Sequence, residues 1–214
     1  MTGSSDPRTR RSSAEVRSLV LRAARELFES RGYAAVSTRD IAAHAGVTQA
    51  LVFRHFGTKA DLFVDAVYLP FSDFVAEYVT RWGDRDDATT AADDTRRFVS
   101  GLYAILLANR RLLVTLTSEF GPDSPDASRP RGALLQNLLE RLEAEVVRRI
   151  QARGATTMDP AHAVRLTFGL VYGVALLGDD LFPHADGPSR GSIVDSMAGF
   201  VLRGAQLPSD EAAR

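Results

Sequence analysis

Apolar residues recur at intervals of three and four along most of the chain, which is the period of an amphipathic α-helix. The first such stripe covers residues 14–31 and includes Val16, Val20 and Phe28. A second clear stripe covers residues 133–152. No segment alternates convincingly between apolar and polar positions, and no internal repeat is visible. The pattern therefore predicts an all-α protein of about nine helices.

Capping residues and helix breakers set the limits of these helices. Ser37 and Thr48 are placed to cap two short helices, and a glycine-bearing turn at Ala45-Gly46-Val47 separates them. Gly32 is expected to be a left-handed C-cap, and Pro70 is expected to kink or end the helix that begins at Thr58. The remaining helices are predicted over about residues 91–108, 110–120, 133–152, 160–177 and 189–203.

Composition narrows the class of protein. The chain has 214 residues, of which 45% are hydrophobic and 25% charged, as in an ordinary soluble globular protein. It has no cysteine, which excludes disulfides and thiolate metal sites. The longest uncharged run, 166–178, is shorter than the ~18 to 20 residues that a membrane span needs. There is no apolar leader, so the cytoplasm is the expected location.

Charge is unevenly distributed along the chain. Residues 1–64 contain ten Arg and Lys against six Asp and Glu, a net charge of +4, whereas the remaining residues carry −5. A basic end on an acidic body fits a protein that presents that end to phosphate groups. Chance unevenness is the alternative explanation.

The most informative segment is T-R-D-I-A-A-H-A-G-V-T-Q-A-L-V-F-R-H-F-G-T-K at residues 38–59. Together with R-S-L-V-L-R-A-A-R-E-L-F-E-S-R-G-Y at 17–33, it resembles the DNA-binding module of the TetR-type (tetracycline-repressor-like) transcriptional regulators. The resemblance covers about residues 16–63. The positions that match are Ala24, Leu27-Phe28, Gly32-Tyr33, Thr38, Ile41-Ala42, Ala45-Gly46-Val47, His55-Phe56 and Lys59.

The resemblance implies a division of the chain into three parts. Residues 1–13 would be a disordered basic arm, in which Arg8, Arg10 and Arg11 either reach DNA or are simply solvated. Residues 14–63 would form a three-helix helix-turn-helix DNA-binding domain. Residues 64–214 would form a helical domain for ligand binding and dimerisation.

The resemblance also implies a set of DNA contacts. Thr38 and Arg39 would bind phosphate, and Arg39 could instead reach a guanine edge. Gln49 would pair with adenine, and Ala50 and Leu51 would touch a thymine methyl group. The full predicted set is Thr38, Arg39, Thr48, Gln49, Ala50, Leu51, Phe53, Arg54, His55 and Lys59. His55 taken alone fits a surface or capping role better than a phosphate contact, but its place in R-H-F-x-x-K favours the phosphate contact.

Two positions depart from the family pattern. The family usually has Tyr where this chain has Phe53, so a hydroxyl contact to phosphate is lost. Leu51 stands where a small or hydroxylated residue is common. It would either narrow the choice of base or simply pack against its neighbours.

Regulators of this type pair as dimers and hold a ligand within the helical body. The candidate dimer residues are Gly169, Gly173, Leu176, Ile193, Met197 and Phe200; internal packing in a monomer is the alternative. The candidate cavity residues are Phe71, Phe74, Trp82, Tyr103, Leu107, Leu113, Phe120, Phe168 and Tyr172, with hydroxyls also from Thr115 and Thr117; plain core is the alternative for each.

The sequence therefore predicts a homodimeric transcriptional repressor that a small, largely apolar effector releases from a palindromic operator. No nucleophile, phosphate-binding or zinc motif points to an enzyme, and no cofactor is implied. His162 and His184 do not have metal-ligand spacing. The alternative is a helical small-molecule-binding or scaffolding protein that has lost specific DNA binding.

Overall fold

The computed structural model describes residues 12–83, 90–119, 131–153, 158–183 and 187–204, and within these ranges the regular secondary structure is entirely α-helical. The helices are α1 Ser13–Arg31, α2 Thr38–Ala45, α3 Gln49–Phe56, α4 Lys59–Gly83, α5 Ala91–Ala108, α6 Arg110–Glu119, α7 Arg131–Arg153, α8 Pro160–Leu181 and α9 Arg190–Gly204. The all-α prediction is confirmed. The predicted arm at residues 1–13 lies almost wholly outside the described residues.

The predicted N-caps are confirmed. Ser37 and Asp40 form a reciprocal capping box, in which each backbone N–H donates to the other side chain. The hydroxyl of Thr48 accepts a hydrogen bond from the backbone N–H of Leu51, and that of Thr58 accepts one from Asp61. These bonds satisfy backbone donors that have no partner within the helix. They explain why the starts of the short helices could be read from sequence.

Two expectations about helix ends are wrong, an end at Pro70 and a left-handed Gly32, whereas the alternative of a kink at Pro70 stays a prediction. α4 does not end at Pro70 but continues to Gly83. Proline removes only one backbone hydrogen bond, and burial of Val67 and Phe71 on either side favours a continued helix. Gly32 has a positive φ of 81°, but its ψ of 160° is not left-handed helical. The left-handed C-cap is instead Gly46, with φ 64° and ψ 40°.

The chain divides into two compact units, one ending at Ala66 and the other beginning at Val67. In the first unit, α1 packs against α2, and α2 packs against α3. Its centre is aromatic: the Phe28 ring meets the Phe63 ring edge-on at 5.0 Å between centroids, and Tyr33 meets Phe63 at 4.9 Å. This core holds the two short helices in place.

In the second unit, α5 packs against α8 and α9, and α7 packs against α8. Among the described helices, α8 is long and apolar enough to cross a membrane by length and composition. Core helices of soluble proteins share that property. One face of α8, including Val164, Val171 and Ala175, is buried within the unit.

Candidate nucleic-acid interface and cavity

Helix α3 has one face in the core and one in solvent. Val52 and Phe56 are buried, whereas Gln49, Ala50 and Arg54 are exposed. Phe53 is also exposed, to 47%. The tight turn at Gly46 fixes α3 against α2, because its left-handed conformation reverses the chain at little steric cost for glycine. The first unit therefore presents the outer face of a short helix, as reading a DNA groove requires.

The N-terminal ends of α2 and α3 lie beside one another. The side-chain Nε2 of Gln49 donates a hydrogen bond of 2.9 Å to the hydroxyl of Thr38. Arg39 is exposed in the same turn. Hydrogen bonds from Ser37 hold the pKa of the Asp40 carboxyl below its usual range. The Asp40 carboxylate is bonded to Ser37, whereas Thr38, Arg39 and Gln49 lie outside that capping box and are half-buried or exposed.

Lys59 is the only lysine in the chain and begins α4. Its Nζ lies 4.2 Å from the centre of the Tyr33 ring, which is a cation–π contact. The contact holds a positive charge close to the end of α3, where the predicted phosphate contacts Phe53 and Arg54 are exposed. Leu51 is half-buried, so it contributes to packing as well as to the outer face.

The predicted phosphate contact of His55 is limited to Nδ1 of its half-buried ring. Its ring lies beside Phe56, with 6.2 Å between centroids. Its Nε2 is buried and has no hydrogen-bond partner among the described residues. A nitrogen shielded in this way does not reach a phosphate oxygen. The sequence pattern R-H-F-x-x-K did not reveal this, since it places the residue on the helix without fixing its side-chain rotamer.

The second unit contains a cavity of about 300 Å³. Its walls come from five helices, α4 to α8. The lining residues are Tyr68, Phe71, Phe74, Val75, Phe98, Leu102, Leu106, Leu113, Leu116, Thr117, Leu135, Leu138, Leu139, Leu142, Phe168 and Tyr172.

Several predicted cavity residues line this space: Phe71, Phe74, Leu113, Thr117, Phe168 and Tyr172. Tyr103, Leu107 and Thr115 do not. Tyr103 is buried elsewhere, with Arg190 over its ring at 5.6 Å. Phe120 and the side chain of Trp82 lie outside the described residues. Sequence reasoning missed the α7 leucines, although their shared face was visible in the pattern, because that face was read as ordinary core.

Among the described residues that line the cavity no side chain is charged, and the few polar groups are hydroxyls. The hydroxyl of Thr117 already donates to the backbone carbonyls of Leu113 and Val114. Tyr172 stacks on Phe168 with 5.6 Å between ring centroids, and burial raises the pKa of its phenol. The cavity thus favours an uncharged molecule, because an ion would lose its hydration without gaining a partner.

The outer face of α8 and part of α9 are unusually apolar for a surface. Leu166, Leu177 and Leu181 are each more than half exposed, as is Phe200 at 65%. A Cβ atom added at Gly169 or Gly173 would meet no other atom within 4 Å, so another helix could approach the α8 backbone closely at these glycines.

The other predicted dimer residues are less exposed. Leu176 and Ile193 are half-buried. Met197 is 4% exposed, so it belongs to the core of its own protomer, and its assignment to a dimer surface is wrong. Within the described ranges no group of three His, Asp or Glu residues could hold a metal ion.

Comparison with known proteins agrees with the geometry of the first unit. Residues 20–66 match a family model described as bacterial regulatory proteins, tetR family. An HTH-type transcriptional repressor of Mycobacterium tuberculosis is 58% identical over 48 residues. An HTH-type transcriptional regulator of Mycobacterium bovis has the same identity over the same length. Each match covers 22% of this chain and 26% of the relative, so only about a quarter of each relative's length is matched.

Solved structures resemble the chain over nearly its whole length. The fatty acid degradation regulator FadR of Bacillus halodurans is 18% identical, with a TM-score of 0.63, and the match covers 87% of this chain and 98% of that one. FadR of Bacillus subtilis in complex with stearoyl-CoA has 17% identity, the same TM-score and the same coverage. GusR of Salmonella enterica has 21% identity, a TM-score of 0.60 and coverage of 89% and 95%. At these identities the resemblance concerns the fold.

Proposed function

We propose that the chain is a ligand-responsive repressor of transcription of the TetR type, because its residues 20–66 match the model of that family. The observation that carries the proposal is the outer face of α3. Its exposed residues are Gln49, Ala50, Phe53 and Arg54, and Arg39 is exposed at the start of α2. The relatives matched in the first unit are named as regulators of transcription, which supports a regulator over an enzyme.

The test is DNA binding by the full chain. Fragments selected from a random DNA pool define the preferred sequence, and titration of a labelled fragment at several salt concentrations gives its affinity. We expect an inverted repeat and a steep fall in affinity with salt, because phosphate contacts release counterions. Affinity equal on all sequences at every salt concentration would favour the alternative, a helical binding protein without specific DNA recognition.

We propose that the regulator acts as a homodimer, paired through the apolar face of α8 and α9. One recognition helix makes few base contacts, so two half-sites are needed for useful specificity. Exposed Leu166, Leu177 and Phe200 support the assignment, since contiguous apolar surface of this kind marks an interaction site. Gly169 and Gly173 allow two backbones to approach closely.

The cavity in the second unit is the proposed effector site. At about 300 Å³ it lies at the lower end of the range for small-molecule pockets, which favours a compact ligand. The absence of charged lining residues favours an uncharged, largely apolar or aromatic one. A structural neighbour in complex with stearoyl-CoA supports the idea that this fold can hold a small-molecule ligand.

For the release mechanism we propose a population shift. The effector favours a conformer whose two recognition helices no longer match the operator spacing, so DNA affinity falls. Pro70 is a candidate hinge, because it lies within α4 next to the cavity residue Phe71. Unchanged operator affinity and unchanged effector release in a Pro70→Ala protein would count against the hinge. The site of action would be the cytoplasm, where the DNA lies.

A further inference from the structure

The side-chain hydrogen bond between Thr38 and Gln49 joins a predicted phosphate contact to a predicted base contact. Thr38 is the first residue of α2 and Gln49 the first residue of α3. Gln49 Nε2 donates to Thr38 Oγ1 at 2.9 Å, across 11 positions of sequence. Gln49 is exposed and Thr38 half-buried, so both remain accessible to a ligand. We propose that Thr38 determines sequence specificity by positioning the amide of Gln49; this inference rests on the proposed DNA binding.

The side-chain amide of Gln49 can form hydrogen bonds with Thr38 and with adenine at the same time. A primary amide has two N–H groups, one on the same side as its carbonyl oxygen and one on the opposite side. Pairing with adenine uses the oxygen as acceptor from N6 and the near N–H as donor to N7. The far N–H then remains for Thr38. A bond from this far N–H leaves the adenine-reading edge of Gln49 unoccupied.

The hydroxyl of Thr38 can likewise serve two partners. It accepts the bond from Gln49 with a lone pair and keeps its own hydrogen, which can be donated to a phosphate oxygen. Thr38 would thus contact the DNA backbone and at the same time fix the orientation of the Gln49 amide that reads the base. Phosphate contacts alone set position, and base contacts supply specificity.

Two nearby acceptors already have hydrogen-bond partners. The carboxylate of Asp40 is held by Ser37 in the capping box, and the hydroxyl of Thr48 is bonded to the backbone N–H of Leu51. An exposed glutamine otherwise samples many rotamers, and ordering them opposes binding. The bond to Thr38 restricts those rotamers before DNA arrives.

The experiment compares the full-length protein with Thr38→Val, Thr38→Ser, Gln49→Ala and the double variant Thr38→Val with Gln49→Ala. Valine keeps the shape of threonine but has no hydroxyl, whereas serine keeps the hydroxyl. Dissociation constants are measured on the selected operator and on operators with each base pair replaced in turn. Circular dichroism of each variant confirms that it is folded.

We expect Gln49→Ala to reduce discrimination at one base pair of each half-site by about 5- to 150-fold, the range for one bidentate contact. Thr38→Val should reduce discrimination at that same base pair, and Thr38→Ser should restore it. In the Gln49→Ala background, Thr38→Val should change no base preference further. A phosphate contact alone cannot produce this pattern, because its loss weakens binding to all sequences equally.

Two results would overturn the inference, and they are distinguishable. If Thr38→Val weakens binding equally on every operator variant, Thr38 is only a phosphate contact and the proposed function stands. If the unsubstituted protein shows no sequence preference at all, the proposed function fails and this inference fails with it.

Discussion

The guanidinium of Arg17 on α1 forms an ion pair with the carboxylate of Asp65 on α4, and it also lies over the ring of Phe56 at the end of α3, 5.1 Å from its centre. Asp65 is buried, whereas the Arg17 side chain is 44% exposed. One arginine therefore links three helices of the first unit. Arg17 contacts the end of α3 on its buried side, away from the exposed face that is proposed to bind DNA.

Arg17→Ala should destabilise the first unit. Removing one member of a buried pair costs about 3 to 5 kcal/mol, but Arg17 is partly solvated and Asp65 has a further interaction, so about 1 to 3 kcal/mol is expected. Urea unfolding followed by circular dichroism measures the change. Arg22→Ala, at an exposed position on the same helix, is the matched control. Equal effects of the two substitutions would show that the ion pair contributes nothing.

Lys59→Ala should weaken binding to every DNA sequence alike. The substitution removes one positive charge per protomer, so the slope of log affinity against log salt should become shallower by about 1 per protomer. Lys59→Arg keeps the charge and should retain most of the slope. The measurement is a salt titration of a labelled operator and of an unrelated fragment. A loss confined to the operator would mean that Lys59 reads sequence instead.

Phe53→Tyr should strengthen DNA binding. Phe53 is exposed on the outer face of α3, and a phenol there would restore a hydroxyl that can donate to phosphate. One such hydrogen bond contributes about 0.5 to 1.5 kcal/mol. Phe53→Leu, which adds no hydroxyl, is the control and should not increase affinity. If tyrosine gives no gain, the ring at this position does not lie along the DNA backbone.

Gly101→Ala should disturb the cavity. A Cβ atom at Gly101 would stand 2.6 Å from Cε2 of Phe74, a cavity-lining ring that also contacts Phe98. The ring must shift, at an overpacking cost of about 1 to 3 kcal/mol. We expect a lower Tm and weaker binding of a neutral apolar fluorescent probe, N-phenyl-1-naphthylamine.

Gly178→Ala is the matched control for this substitution. A Cβ atom there meets no other atom within 4 Å, so the protein should keep both its Tm and its affinity for the probe. Equal behaviour of the two variants would show that the close approach of α5 to Phe74 does not shape the cavity.

Leu177→Glu should convert the dimer to a monomer. Leu177 is 51% exposed on the proposed pairing face, and a buried, unpaired carboxylate there would be strongly unfavourable. Val114→Glu is the control, because Val114 is exposed to a similar degree on α6. Sedimentation equilibrium at micromolar concentration distinguishes the two species. A native protein that is already monomeric, or a Leu177→Glu protein that remains dimeric, would contradict the proposed interface.

The parts of the fold that sequence reasoning predicted depend on local interactions. The capping bonds of Ser37, Thr48 and Thr58 span three residues, so the starts of α2, α3 and α4 follow from neighbouring side chains alone. The expected break at Pro70 was also a local argument. The helix does not end there, because burial on both sides of the proline outweighs the loss of one hydrogen bond.

The parts of the site that sequence reasoning missed depend on distant contacts. Met197 and Phe200 lie three residues apart on α9, yet one is buried and the other is 65% exposed. Only the packing of α9 against its neighbours separates them. The bond between Thr38 and Gln49 is of the same kind, since it exists only because Gly46 turns the chain so that two helix starts adjoin.

The cavity lined by α4 to α8 is a volume within the hydrophobic core that protein atoms do not fill. A molecule that fills it replaces van der Waals contacts that the empty protein lacks, so ligand affinity and folding stability are linked. Proteases degrade transiently opened chains, and occupancy lowers the population of such chains. The lifetime of the protein in the cell is therefore expected to lengthen when its ligand is abundant, so that one small molecule would govern both the activity of the protein and its amount.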